Sequence, residues 1–211
     1  MIKNRFFILS VVVLFITMNV NAQSFLSGVK YDVSVGLGTR VSNAPFDNAM
    51  FGFNMGVDAL KPIKSFANDK VDTYGLLGLH FVQKGGKQST DFMEMMNDNN
   101  SFTVNQLSIP IHAGVRYNFK RCSFFFDLGP YLAFGVGGSN DVDGLERKVV
   151  DLGLGFNLGI KFKKFGISMG YDKGFMNIAQ YTQFDELNDK SNLKGDAFYM
   201  NLRWTLGKKS K

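Results

Sequence analysis

Cysteine is almost absent: Cys122 is the single one in 211 residues. That excludes a disulfide scaffold and a zinc site built from several cysteines. Charge of either sign is also modest. With 24 Lys+Arg against 18 Asp+Glu the net charge is +6, scattered along the chain, which gives no argument for a nucleic-acid partner. Beyond residue 23 no apolar run is long enough for a membrane helix, and no segment keeps a 3.6-residue stripe over three turns. What the chain does have in excess is 23 Gly and 22 Phe, each about a tenth of the residues, against a usual Gly share of roughly 7%.

The N-terminus has the form of an export signal. Lys3 and Arg5 make a short positive region, Phe6 to Met18 is nearly unbroken apolar sequence, and Val20-Asn21-Ala22 supplies the cleavage positions. The apolar run fits a signal core of roughly 7–15 residues and is short of the roughly 20 a spanning helix needs. The sequence therefore divides into a signal peptide, 1–22, and a mature domain, 23–211, beginning at Gln23. No Cys follows the cleavage position, so a lipoprotein anchor is not expected.

The mature chain alternates with period 2, the mark of strands. Val29, Tyr31, Val33, Val35 and Leu37 oppose Lys30, Asp32, Ser34, Gly36 and Gly38. Seven further segments behave alike: Phe51–Asp58, Leu77–Lys84, Gln106–Tyr117, Phe124–Gly137, Val150–Lys161, Phe165–Asp172 and Phe198–Leu206. Each is of the order of the roughly 9–11 residues of a tilted membrane strand. Long polar connections are expected at Val41–Ala49, Gly85–Ser101, Gly138–Arg147 and Asn177–Lys194. Between them fall two-residue turns at Lys120-Arg121 and Lys163-Lys164 and a longer segment, Lys61–Lys70. Short turns on one side and long loops on the other are the pattern of an outer-membrane barrel with its short side to the periplasm. At the tight turns Phe119 should pair with Cys122, and Phe162 with Phe165, each pair on the apolar face; a register slip would break this.

A soluble barrel of the lipocalin kind buries its apolar face. Here the apolar face is bulky and continuous, and the other is Gly-rich with charges at Lys30, Asp32, Asp58, Arg116, Asp127, Lys161, Asp172 and Arg203. That is the inside-out arrangement of a lipid-embedded barrel. Girdles are expected from Phe119, Phe124, Phe162, Phe165 and Trp204 at the short-turn end, and from Phe51, Phe81, Phe134 and Phe198 at the loop end. The expected fold is all-β, an eight-stranded antiparallel up-and-down transmembrane β-barrel over about 27–206, located in the bacterial outer membrane.

Three stretches carry a family likeness: Gly78-Leu79-His80-Phe81-Val82-Gln83-Lys84-Gly85-Gly86-Lys87, Leu107-Ser108-Ile109-Pro110-Ile111, and Asp127-Leu128-Gly129-Pro130-Tyr131. With the Ala-Gln signal junction, their order and spacing resemble the PorT-like outer-membrane β-barrel proteins of Bacteroidota, over essentially the whole mature chain. The resemblance implies a diderm outer membrane and, through the protein that gives the family its name, a connection to type IX secretion. It brings no catalytic motif. The chain departs from the usual aromatic terminus, because Trp204-Thr205-Leu206 is followed by Gly-Lys-Lys-Ser-Lys.

An eight-stranded barrel has an interior that side chains can fill, so inward charges should pair. Asp127 lies opposite Gly114 in the Lys120-Arg121 hairpin, which makes Arg116 its diagonal neighbour. Asp32 and Arg203 sit on strands that meet at closure. These four, with His112, form the expected interior polar network. Catalysis would need a nucleophile and base within reach. His80 and His112 both face inward with Ser108 near His112, and a satisfied interior histidine is the expected reading. The loop carboxylates Asp91, Glu94, Asp98, Asp141, Asp143 and Glu146 lack calcium-loop spacing and are expected to be solvated. Gly135-Val136-Gly137-Gly138 precedes no helix and is no phosphate loop. Phe92, Met93, Met95 and Met96 make a candidate partner-contact cluster in the second long loop.

The sequence thus points to a non-enzymatic barrel with a structural or interaction role, an accessory of a secretion or envelope complex. A narrow, porin-like path for small solutes is the alternative, and a lipid-modifying enzyme the third reading. No cofactor or metal is expected. The expected partners are outer-membrane lipid, lipopolysaccharide and a protein of such a complex.

Overall fold

The computed structural model describes residues 28–40, 48–68, 70–87, 101–139, 145–182 and 190–206. The expected signal peptide, 1–22, and the Phe92–Met96 cluster lie outside the described residues, as do Asp91, Glu94, Asp98, Asp141 and Asp143.

Twelve strands form: β1 (Lys30–Arg40), β2 (Asn48–Ala49), β3 (Phe51–Phe66), β4 (Val71–Lys87), β5 (Ser101–Asn118), β6 (Ser123–Gly137), β7 (Leu145–Arg147), β8 (Val150–Phe162), β9 (Phe165–Gly174), β10 (Asn177–Thr182), β11 (Lys190–Lys194) and β12 (Ala197–Leu206). Eight of them make the wall, in the order β4-β3-β1-β12-β9-β8-β6-β5, all antiparallel. The pairing of β4 with β5 closes the ring. Closure matters because backbone N–H and C=O groups find no water in hydrocarbon, and a closed barrel leaves no edge unpaired.

Alternation decides which face goes where. Along β6 every second residue from Phe125 to Ala133 is buried and those between are exposed. β8 and β9 alternate in the same way. The exposed set is apolar: Phe124, Phe126, Leu128, Leu152, Leu154, Phe156, Leu158 and Ile167 among others. The buried set includes Asp32, Asp58, Asp127, Asp151, Lys84, Lys161 and Arg203. Greasy outside and charged inside is the inversion that lipid demands. Both tight turns keep the expected register: the Phe119 N–H donates to the Cys122 carbonyl at 2.8 Å, and Phe162 pairs with Phe165.

Five connections differ from expectation. Lys61–Lys70 is not a linking segment, because β3 continues to Phe66 and the turn starts at Ala67. That extension pairs with β4, and among the described residues no strand lies on its other side, since β1 begins opposite Leu60. Pro62, at a register shift, and Lys61 and Lys64 protect this exposed edge, as Pro and Lys do on free strands. At the loop end Gly85–Lys87 belong to β4, and β2 pairs with them. The third and fourth long connections contribute β7, β10 and β11, a separate sheet in the order β11-β10-β7. Polar composition concealed these strands, because a short strand pairing outside the wall needs no apolar face toward lipid.

The inverted pattern makes a prediction. Leu128→Arg places a cation on the lipid face of β6 and should lower unfolding free energy by about 2–4 kcal/mol at mid-depth. The buried substitution Ser168→Ala should change it by less than about 1 kcal/mol. Urea unfolding in liposomes, read by gel mobility without boiling, measures both.

Candidate functional site

The interior is the site, and its geometry begins with glycine. Five inward rings sit directly across the ladder from a glycine: Tyr74 from Gly114, His80 from Gly56, Tyr131 from Gly153, Phe125 from Gly159 and Tyr199 from Gly170. A Cβ on Gly114 would lie 2.3 Å from the Tyr74 ring, and one on Gly170 2.2 Å from that of Tyr199. The rings rest on bare backbone, in space no other residue leaves free. A narrow barrel can hold large side chains only if their neighbours give up theirs, and this accounts for the Gly-rich inner face.

Hydrogen bonds and ion pairs tie the lower half together. Asp32 on β1 receives Lys161 from β8, and the Thr205 hydroxyl donates to its other oxygen at 2.7 Å. Arg203 on β12 donates to Asp58 on β3 at 2.8 Å, while His80 lies 2.7 Å from the second Asp58 oxygen. Asp127 takes the Tyr74 hydroxyl at 3.0 Å and faces His112 Nδ1 at 2.9 Å. Arg116 stacks over the Tyr74 ring, 5.2 Å from its centroid.

All five expected network residues are thus brought inside, but the two expected pairs do not form. Arg203 goes to Asp58 rather than Asp32, and Asp127 is held by His112 and Tyr74 rather than by Arg116. The physical reason is the bore. Lys161–Asp32 and Arg203–Asp58 join strands that are not neighbours in the wall, so long side chains reach across the lumen instead of along a hairpin. Asp58, Lys161 and Lys84 are legible as inward charges from parity alone. Their partners are not, because choosing among carboxylates across a lumen requires the closed ring.

The upper half is capped. The Lys84 ammonium, 2% exposed, donates to the Gly195 carbonyl at 2.8 Å and lies 3.6 Å from Asp151, which also accepts from the Tyr131 hydroxyl at 3.0 Å. Gly195 follows β11, so this buried lysine pins the second sheet to the wall. Ala179 on β10 and Leu193 on β11 are buried against Phe102 and Val104 of β5. The Asp196 carboxylate accepts from the Gly174 N–H at 3.0 Å and closes the root of the same connection.

Between the halves lies a narrow cavity bordered by Asp58, His80, His112, Asp172, Tyr199 and Arg203, with room only for water-sized contents. Asn54 Nδ2, His112 Nε2 and Asn201 Oδ1 on its lining are buried without a protein partner. Polar, unpartnered and small is the description of a site for ordered water. Ser108 lines the same cavity, but its hydroxyl makes no hydrogen bond to His112, whose Nε2 is unpartnered. Among the described residues no group of three or more His, Cys, Asp or Glu is placed to hold a metal ion. Cys122 is a free, half-buried thiol at the β5–β6 turn.

Breaking a cross-lumen pair should cost more than removing it whole. Arg203→Met leaves Asp58 buried with only His80, and should destabilise the barrel by about 3 kcal/mol. Adding Asp58→Asn to that variant should restore a large part of the loss. A double-mutant cycle from urea unfolding in liposomes reads the coupling.

Comparison with known proteins gives a consistent placement. The family model described as outer membrane protein beta-barrel domain matches residues 16–180. No curated protein sequence matches the chain. Among solved structures it is similar to the outer membrane enzyme PagL, with 11% identity and a TM-score of 0.47, covering 84% of this chain and 99% of that one. It is also similar to Ail, the attachment invasion locus protein of Yersinia pestis solved with the heparin analogue sucrose octasulfate, at 13% identity and a TM-score of 0.40, covering 84% and 97%. A third is AlkL in lipid bilayers, at 9% identity and a TM-score of 0.41, covering 86% and 92%. The family match spans most of the chain, and the closed, inverted barrel is what that family describes: the chain belongs to the outer-membrane β-barrel domain family and is a protein of the bacterial outer membrane.

Proposed function

We propose that this barrel is a non-enzymatic scaffold of the outer membrane, an accessory that holds a protein partner of a secretion or envelope complex. The observation that carries the reading is the filled interior. Charges are matched across the lumen, and the second sheet is pinned over the mouth through Lys84 and Gly195. Such a barrel spends its interior on rigidity and presents its strand-built loops outward. The resemblance of Gly78–Lys87 and Asp127–Tyr131 to the PorT-like proteins supports a place beside secretion machinery. For catalysis, a nucleophile must reach its base, and Ser108 is not hydrogen-bonded to His112. The proposal therefore expects lipid A of unchanged mass in a deletion strain.

A narrow solute path is the second reading, favoured by the cavity and its unpartnered polar atoms. The two readings separate experimentally. After gentle detergent extraction of the tagged protein from its own outer membrane, the accessory reading expects a stoichiometric companion in mass analysis. It also expects silent planar bilayers. A bare monomer with conductance steps that change in Arg116→Ala would replace it with the solute path.

A further inference from the structure

The lipid-facing surface is not uniform. The outward residues Val33 and Val35 of β1 are short, while Phe162, Phe165 and Trp204 on β8, β9 and β12 stand high beside them. The result is a groove of about 570 Å³ along the β1–β12 seam, lined also by Leu202 and Leu206 and almost wholly apolar. Its wall is stiffened by Phe165 and Trp204, whose ring centroids are 4.7 Å apart. Toward the loop end the groove runs on over Ile167 and Leu202 into a second furrow beside Phe198.

Its other end has a definite charge. The β8–β9 turn, Lys163-Lys164, lies between Phe162 and Phe165, and both lysines are exposed. The Thr205 N–H donates to the Lys164 carbonyl at 2.8 Å, which fastens the turn to the end of β12. Lys30, at the start of β1, has the inward parity of Asp32 and borders an interior pocket with Asp72 and Arg116, so it does not join the two turn lysines. The adjoining carboxylate, Asp32, points into the barrel and is held by Lys161 and Thr205. Among the described residues, the groove therefore ends in two cations, Lys163 and Lys164, and no exposed carboxylate. This is the short-turn, periplasmic side, facing the inner leaflet.

We propose that the β1–β12 groove and the Lys163-Lys164 turn form a binding site for an anionic glycerophospholipid of the inner leaflet. The acyl chain lies along Val33 and Val35 against Trp204 and Phe165, and the phosphate meets Lys163 and Lys164. An apolar furrow alone would accept any chain or a second copy of the barrel. The cationic end selects a negative headgroup, since a lysine close to an anionic lipid surface contributes about 1 kcal/mol, roughly fivefold in affinity. Phe and Trp at the same depth are the usual interfacial anchors.

Native mass spectrometry of the full barrel released from detergent with phosphatidylglycerol or phosphatidylcholine tests this. The wild type should retain phosphatidylglycerol over phosphatidylcholine by more than an order of magnitude, about fivefold for each of the two lysines. Lys163→Gln with Lys164→Gln should remove most of that preference, about fivefold per lysine, while Lys120→Gln with Arg121→Gln at the other short turn should leave it standing. Val33→Trp, which fills the groove, should reduce retention of both lipids; gel mobility without boiling confirms that each variant is folded. Equal retention of the two lipids by the wild type overturns the proposal. So does an equal loss from both turn variants, or a lipid-free dimer that Val33→Trp dissociates.

Discussion

Ring closure between β4 and β5 is the constraint on which everything else depends. Hydrocarbon offers no hydrogen bonds, so a sheet placed there must satisfy every backbone group itself, and eight strands do so by returning to their start. Closure at eight strands also fixes a bore narrow enough for side chains to fill. Each half of the structure follows from that bore. Rings must lie against glycine because nothing larger leaves them room, and long charged side chains meet across the lumen because the opposite wall is within their reach. The ion pairs Lys161–Asp32 and Arg203–Asp58 are consequences of closure, and they in turn stiffen it.

Much of this was legible in the sequence, and the boundary of legibility is physical. Period-2 alternation with the apolar set unbroken from Phe124 to Phe134 gave the strands, the faces and the membrane. The hairpin registers at Phe119–Cys122 and Phe162–Phe165 followed from the requirement that paired residues share a face. Two kinds of fact were not accessible. Pairing partners inside the lumen depend on strand tilt and on which strands oppose each other, and no hairpin argument supplies either, which is why sequence alone pairs Asp32 with Arg203 and not with Lys161. Strands outside the wall, β10 and β11 above all, carry no lipid-facing pattern, so Asn177–Lys194 reads as a polar loop. The glycines and the aromatic rings of the inner face were each visible, but their one-to-one opposition appears only once the register is known.

The two faces of the wall have different tasks. Inside, matched charge fills the lumen, and the Lys84 anchor ties the second sheet to the wall. Outside, the wall is apolar throughout, yet its relief and its charged rim are uneven, and the groove beside Trp204 ends where the lysines gather. Under the proposed accessory role, a barrel held at a fixed depth by its aromatic girdles and by a lipid at its periplasmic edge would present its loops to a partner at constant height.

The central claim is that lipid touches one face of the strands and packed side chains, without a water column, fill the other. Nitroxide labels placed one at a time along β6, from Phe124 to Phe134 in a Cys122→Ser background and reconstituted in bilayers, test it most directly. The account predicts that oxygen dissolved in lipid relaxes labels at Phe124, Phe126, Leu128 and Leu132, and that labels at Phe125, Asp127, Tyr131 and Ala133 are shielded from both oxygen and a water-soluble relaxant. Relaxation of the second set by the water-soluble reagent would reveal an open lumen and contradict the account.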